Sequence, residues 1–219
     1  MNPTVKTLIA GRTGALAENE VKDLLRTYGI PTTRYQVVRT EKDLETLSLR
    51  FPVALKVCSS KILHKTDVGG VKLNIQNTEE LKKFFKEFRK KFPTENLLVD
   101  QMEEKGVEMI VGLVQDPTFG LSVMVGVGGI FTELYKDVAF RVVPIDAYDA
   151  AQMIEELTGK RLLEGFRGMK ANKQLVIDLV LKVSQLGEQL IDHVDQMDLN
   201  PVFVYEDRVC VVDAKLILK

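Results

Sequence analysis

The sequence predicts an α+β protein made of two α/β modules that face each other across a cleft, and three observations predict it. Helical and strand periodicities alternate through the first hundred residues. The chain then changes to short apolar strands separated by Gly, Asp and Pro. No flexible linker divides the two parts.

The first module, residues 1–95, opens on ALAENEVKDLLRTYGI, where Ala17, Val21, Leu24 and Leu25 share one helical face and Gly29 closes the end. Ile30-Pro31 leads into a strand, Arg34–Val38. Thr40-Glu41-Lys42-Asp43 has the form of a capping box with Asp in place of Glu, which predicts a helix to about Arg50. The strand PVALKV, a glycine loop, the strand VKLNI and a helix from Thr78 to about Lys91 complete the module, and Pro93 ends that helix.

The second module, residues 96–219, starts with LLVDQM, VEMIVGLV, LSVMVGV, IFTEL and AFRVV, which read as a meander of strands. Helices follow at about 147–157 and 172–192, the second with Leu175, Leu179, Val183, Leu186 and Leu190 at helical spacing. MDLNPVFVY and RVCVVDAKL close the chain as two strands joined at Glu206-Asp207.

Lys and Arg total 30 against 31 Asp and Glu, so the balance of charge indicates neither nucleic acid nor a membrane surface as partner. No apolar run reaches transmembrane length, and MNPTVKTLIAGRTG has neither a long apolar core nor a cleavage site, which predicts a cytoplasmic protein. Cys58 and Cys210 lack the spacing of a zinc site and read as buried free thiols.

The chemistry concentrates in KILHKTDVGGVK, residues 61–72, which holds one of only two histidines. Gly69 and Gly70 predict a backbone that approaches something closely or visits positive φ, and the lysines predict that this something is an anion, phosphate first. The residues alone leave open whether His64 binds phosphate or carries it. The other histidine, His193, reads as a helix C-terminal residue favoured by the dipole.

Lys56 projects from the middle of an apolar strand, on the face of Ala54 and Cys58 and opposite Val53, Leu55 and Val57. A buried ammonium needs a partner, either a structural carboxylate or a ligand anion. Glu108 poses the same problem in VEMIVGLV; it pairs with Lys56 or orients that lysine toward a phosphate. In the last hairpin, a turn centred on Glu206 and Asp207 sets Asn200 opposite Asp213, about 5 Å apart, with Asp198 on the same face. Two carboxylates and a carboxamide offer hard oxygen ligands suited to Mg²⁺; the alternative is a solvated hairpin end with Asp198 paired to Lys215. GVGG at 126–129, followed by Glu133, Asp137 and Arg141, reads either as a phosphate-facing loop using Gly128, Gly129 and Arg141 or as a tight turn.

ALKVCSSKILHKTDVGGVKLNI, GVEMIVGLVQDPTFG, VMVGVGGIFTELYKDVAFRVVP and MDLNPVFVYEDRVCVVDAKL together resemble, in order and over nearly the whole chain, the β subunit of the ADP-forming acetyl-CoA synthetases, or acetate–CoA ligases. The resemblance implies an ATP-grasp fold whose two subdomains enclose a nucleotide cleft, with ATP or ADP as substrate and Mg²⁺ as cofactor. It implies a CoA-binding α subunit as partner, in an α2β2 heterotetramer, and the reaction acyl-CoA + ADP + phosphate = carboxylate + CoA + ATP. It assigns His64 as the histidine that receives phosphate and passes it to ADP, a residue that the related succinyl-CoA synthetases lack in this loop. Lys56 would contact nucleotide phosphates, Glu108 the nucleotide side, and Asn200 with Asp213 the Mg²⁺. Lys65, Gly69 and Gly70 would offset the charge of the phosphorylated histidine. Gln101 and Met102 fall at the adenine-side hinge, where many family members read Gln-Glu-Met and this chain reads Asp-Gln-Met. A regulatory nucleotide-binding module, as in fused protein acyltransferases, is the alternative function; the sequence contains no acyltransferase segment.

Overall fold

The computed structural model of the chain describes residues 3–129, 136–165 and 171–219. Its strands are β1 (Gly14–Ala15), β2 (Tyr35–Val38), β3 (Val53–Cys58), β4 (Val71–Ile75), β5 (Asn96–Gln101), β6 (Val107–Asp116), β7 (Gly120–Val127), β8 (Val138–Val142), β9 (Val194–Val204), β10 (Val209–Val211) and β11 (Ala214–Leu218). Its α-helices are α1 (Pro3–Ile9), α2 (Glu18–Thr27), α3 (Thr78–Lys91), α4 (Ala147–Glu156) and α5 (Lys173–Gln189). The chain forms two compact units: Ala15–Glu20 with Thr33–Glu104, and Met1–Gly14 with Val21–Thr32 and Lys105–Lys219.

The smaller unit is an antiparallel sheet in the order β2-β5-β3-β4 with α3 on one face. Helix α3 starts where the Asn77 side chain accepts the Glu80 N–H at 2.9 Å, and Arg89, Lys90 and Lys91 fill its last turn, where the dipole favours cations. Leu81, Phe85 and Phe88, at helical spacing, pack onto Val53, Leu55 and Val57 in one buried cluster. The opposite face of the sheet carries Ala54, Lys56 and Cys58 beside Asp100 of β5, whose partner in register is Ala54. The segment Ala15–Glu20 lies over that face: the Tyr35 hydroxyl donates to the Asn19 carbonyl at 3.0 Å, and the Cys58 thiol to Asn19 Oδ1 at 3.1 Å. Burial pushes the Cys58 thiol up.

Three expectations change here. LLVDQM does not begin the meander, and the boundary between units does not fall at residue 95. Val99 of β5 pairs with Gln36 on one side and Leu55 on the other, making β5 an inner strand of the first sheet. Every inner strand needs hydrogen-bond partners on both sides, and neighbours in sequence need not supply them. The helix expected to reach Arg50 is a 3₁₀ turn, Glu41–Leu44. The Asp43 carboxylate does accept the N–H of Thr40 at 2.8 Å, along with that of Arg39 at 2.7 Å. The Thr46 hydroxyl then takes the Asp43 carbonyl at 3.2 Å, the competition from a short polar side chain that disfavours helix continuation.

In the larger unit the sheet runs β1-β11-β9-β6-β7-β8, with β10 also on β9. Helices α4 and α5 cover one face. Gly187 in α5 is where the helix meets the sheet, since a Cβ there would approach Leu113 to 2.9 Å. The meander β6-β7-β8 matches expectation, while IFTEL lies outside the described residues. Helix α5 stops at Gln189, so His193 sits in the turn before β9 and is not part of the helix end. No described helix is long and apolar enough to cross a membrane.

Glu155 at the end of α4 binds Lys173 and also Lys160, the latter at 2.9 Å, and these hydrogen bonds, that of Lys173 above all, lower its carboxyl from 4.5 to about 2. A lowered acid contributes stability above its unfolded value that is lost as pH falls through the folded one. Urea denaturation should therefore show an acid limb between pH 4.5 and about 2 that is flatter in Glu155→Gln. Parallel profiles for the two chains would contradict this pairing.

Candidate functional site

His64 stands in the loop between β3 and β4, exposed and with no hydrogen bond or ion pair among the described residues. The loop's second half is tightly made. Gly69 takes φ +59°, in the left-handed region, and its N–H donates to the Thr66 carbonyl at 2.9 Å. The Gly70 N–H donates to the Lys65 carbonyl at 2.6 Å, and its carbonyl accepts the Val57 N–H at 2.7 Å. A Cβ on Gly70 would sit 2.6 Å from the Val57 side chain. Both predicted reasons for the glycines are therefore present, but the close approach is to the protein itself. The two amides expected to face a phosphate donate within the loop.

Lys56 is almost wholly buried, and its ammonium binds Glu18 Oε1 and Asp100 Oδ2, each at 2.8 Å. Glu18 Oε2 binds the Lys65 ammonium, and Asp100 Oδ1 accepts the Thr33 hydroxyl at 2.6 Å. Two cations and two anions thus form one buried network, which satisfies the requirement that charges out of water be paired. Sequence reading missed Glu18, Asp100 and Thr33. The signal for Asp100 was available: it interrupts the apolar strand LLVDQ as Lys56 interrupts PVALKV. Glu18, in an ordinary helix start, offers none. Gln101 and Met102 follow in the same unit. The Gln101 side-chain oxygen accepts the Arg50 N–H at 3.1 Å, and the Met102 N–H donates to the Pro52 carbonyl at 3.1 Å. The amide at position 101 therefore uses an acceptor that a glutamate would also have.

In the larger unit, the Gly128 N–H donates to the Glu108 carbonyl at 2.7 Å, and a Cβ on Gly128 would come within 2.9 Å of the Glu108 backbone. Gly129, at φ +70°, lies beside the Glu108 carboxylate, 3.2 Å from where its Cβ would be. Arg141 is not with these glycines. It falls opposite Val123 in register, and its guanidinium is held by Glu156 of α4, which raises it further. Asp137 accepts the N–H groups of Thr158 and Gly159, each at 2.8 Å, and so starts the 3₁₀ helix Thr158–Glu164. Alternation along β8 and the anions offered by α4 separate Arg141 from the loop. Glu133 lies outside the described residues.

The closing strands have the expected register: Lys215 faces Asp198, and the Asn200 N–H donates to the Asp213 carbonyl at 3.2 Å. Asp198 is half-buried, which pushes its carboxyl up against the pull of Lys215, yet the two form no ion pair. Among the described residues no three His, Cys, Asp or Glu cluster as a metal centre, so the hairpin offers two carboxylates and one carboxamide. That donor set, all hard oxygen, fits Mg²⁺ and would be a poor choice for zinc.

The smaller unit thus carries an exposed histidine on a glycine-turned loop, and the larger unit an oxygen-rich hairpin. Residues 7–218 match the family model for the ATP-grasp domain. The β subunit of ADP-forming acetate–CoA ligase I from Pyrococcus furiosus is 41% identical over 213 residues, covering 93% of this chain and 91% of that one. Two solved structures of the acetyl-CoA synthetase 1 of Ca. Korarchaeum cryptofilum superpose on it. One, with coenzyme A, acetyl-coenzyme A and a phosphorylated phosphohistidine segment, has TM-score 0.85 and 37% identity over 98% of this chain and 97% of that one. The other, with coenzyme A and Mg-AMPPCP and its phosphohistidine segment pointing towards the nucleotide site, has TM-score 0.82 and 39% identity at the same coverage. The chain belongs to the ATP-grasp family, among the β subunits of the ADP-forming acetate–CoA ligases.

Proposed function

We propose that this chain is the nucleotide-binding subunit of an ADP-forming acyl-CoA synthetase, in which His64 carries a phosphoryl group from a CoA-binding α subunit to ADP. The observation that carries the reading is the imidazole itself: exposed, with no hydrogen bond among the described residues, and one residue before a turn closed by the Gly69 and Gly70 N–H groups. A neutral imidazole nitrogen is a nucleophile that needs no separate base to ionise it. In the step toward ATP, an ADP β-phosphate oxygen attacks the phosphorus on His64. The O–P bond forms, the N–P bond breaks, and its electron pair returns to the ring nitrogen.

Glu108 and the backbone of Gly128 and Gly129 contribute to the nucleotide side, and Gln101 and Met102 to the base side. Lys56 reaches nucleotide phosphates by exchanging one of its carboxylate contacts, and Lys65 with the Gly69–Gly70 turn supports the charged histidine. Asp198, Asn200 and Asp213 would hold Mg²⁺, which when bound neutralises phosphate charge. The working enzyme is a cytoplasmic α2β2 assembly.

Acetyl-CoA, ADP, phosphate and Mg²⁺ should yield ATP only when chain and α subunit are combined. ATP formation by this chain alone would defeat the division of labour. Asp213→Ala should reduce ADP affinity in Mg²⁺ by about tenfold or more, toward the value in EDTA, with an unchanged circular dichroism spectrum. Equal affinity with and without Mg²⁺ in the unsubstituted chain would remove the hairpin from the site.

A further inference from the structure

We infer that Glu18 is a positioning residue that latches the His64 loop through Lys65. The loop is joined to the buried network through Lys65, the residue directly after His64, whose ammonium binds Glu18 Oε2. Glu18 Oε1 meanwhile holds Lys56, which Asp100 holds in turn. Glu18 therefore spans a fixed cation, on an inner strand with partners on both sides, and a cation on a loop. Lys65 also opens the turn that Gly70 closes through its N–H, so fixing the Lys65 ammonium fixes the start of that turn. His64, immediately outside it, is left free.

The consequence follows from charge. Lys65 is shared between the buried carboxylate and whatever anion reaches the neighbouring side chain. Resting on the carrier role proposed above, a phosphoryl group on His64 competes with Glu18 for that ammonium and loosens the latch when the histidine is loaded. The unloaded loop is held and the loaded loop is released. Loosening of Lys65 leaves the contacts of Lys56 with Glu18 Oε1 and Asp100 as they are.

Hydrogen exchange on the full chain, without nucleotide, tests the latch independently of phosphate chemistry. Glu18→Gln should speed exchange of a peptide covering residues 61–68 by about tenfold while the amides of β3 keep their protection. Lys65→Met, which leaves Glu18 with Lys56, should do the same and serves if Glu18→Gln does not fold. Lys65→Arg should keep the loop protected. The double variant should exchange no faster than either single one, because both remove the same contact. In the assembled enzyme, Glu18→Gln should lower kcat for phosphorylation of the unloaded His64 by ATP by about tenfold with KM for ATP within about threefold.

Exchange rising evenly across the smaller unit, additive effects in the double variant, or Lys65→Arg behaving as Lys65→Met would each overturn the latch. A loop freed by Glu18→Gln in a chain whose His64 never becomes phosphorylated would instead overturn the carrier role and leave the latch standing.

Discussion

His64→Ala is expected to stop acyl-CoA turnover in the assembled enzyme, by on the order of 10⁴-fold or more, because under the carrier role proposed above it removes the atom that takes the phosphoryl group and not one contact among several. The chain should hardly register the change in stability. The imidazole is exposed and contacts no polar partner among the described residues, so urea denaturation should shift by about 0.5 kcal/mol or less, the usual range for surface substitutions. ADP affinity and assembly with the α subunit should be retained for the same reason. Incubating the assembled enzyme with labelled ATP and Mg²⁺ should label this chain in an acid-labile, base-stable form, and His64→Ala should abolish that label. Normal turnover by the variant, or a label that persists on the same peptide, would show that His64 is only a neighbour of the phosphates.

Lys56→Ala is expected to have the largest effect on folding. The sequence resemblance assigns this lysine to nucleotide phosphates; its position also gives it a structural role. Glu18 and Asp100 are each buried and each bonded to Lys56 at 2.8 Å, so its removal takes from two buried carboxylates the ammonium they share. Breaking a buried pair from one side destabilises by about 3–5 kcal/mol, a large share of the stability of a domain this size. Denaturation monitored by hydrogen exchange in β3 and β5 should report the loss within the smaller unit, with the larger unit's sheet amides less affected. A Lys56→Ala chain of normal stability whose sole defect is weak nucleotide binding would show that the network is not what holds this sheet's second face.

The two predictions separate two kinds of polar residue in one unit. His64 is legible because loops tolerate few constraints: a lone histidine among lysines and paired glycines has no packing reason to be there. Lys56 is equally conspicuous, but conspicuousness indicates only that a partner exists. Its partners come from Glu18, 38 residues before it, and Asp100, 44 residues after it. Arg141 shows the same limit. Its sequence distance from Gly128 is short, yet strand alternation and Glu156 of α4 draw it elsewhere.

Periodicity and capping chemistry act over a few residues, and they set α2, α3, β3, β4, the meander β6-β7-β8 and the register of the last hairpin, all of which the chain spells out locally. The glycine turn after His64 is local as well, since positive φ at Gly69 and close packing at Gly70 are properties of single positions. Strand order is different in kind. β5 lies between β2 and β3 because hydrogen-bonding groups on both edges of a buried strand must be satisfied, a condition met by whichever strands the fold brings there. The charge network follows from that order: once β5 lies beside β3, Asp100 shares a face with Lys56, and the Ala15–Glu20 segment that covers this face adds Glu18. Such partners are chosen by the cost of burying charge unpaired in three dimensions, which leaves no local signature along the chain.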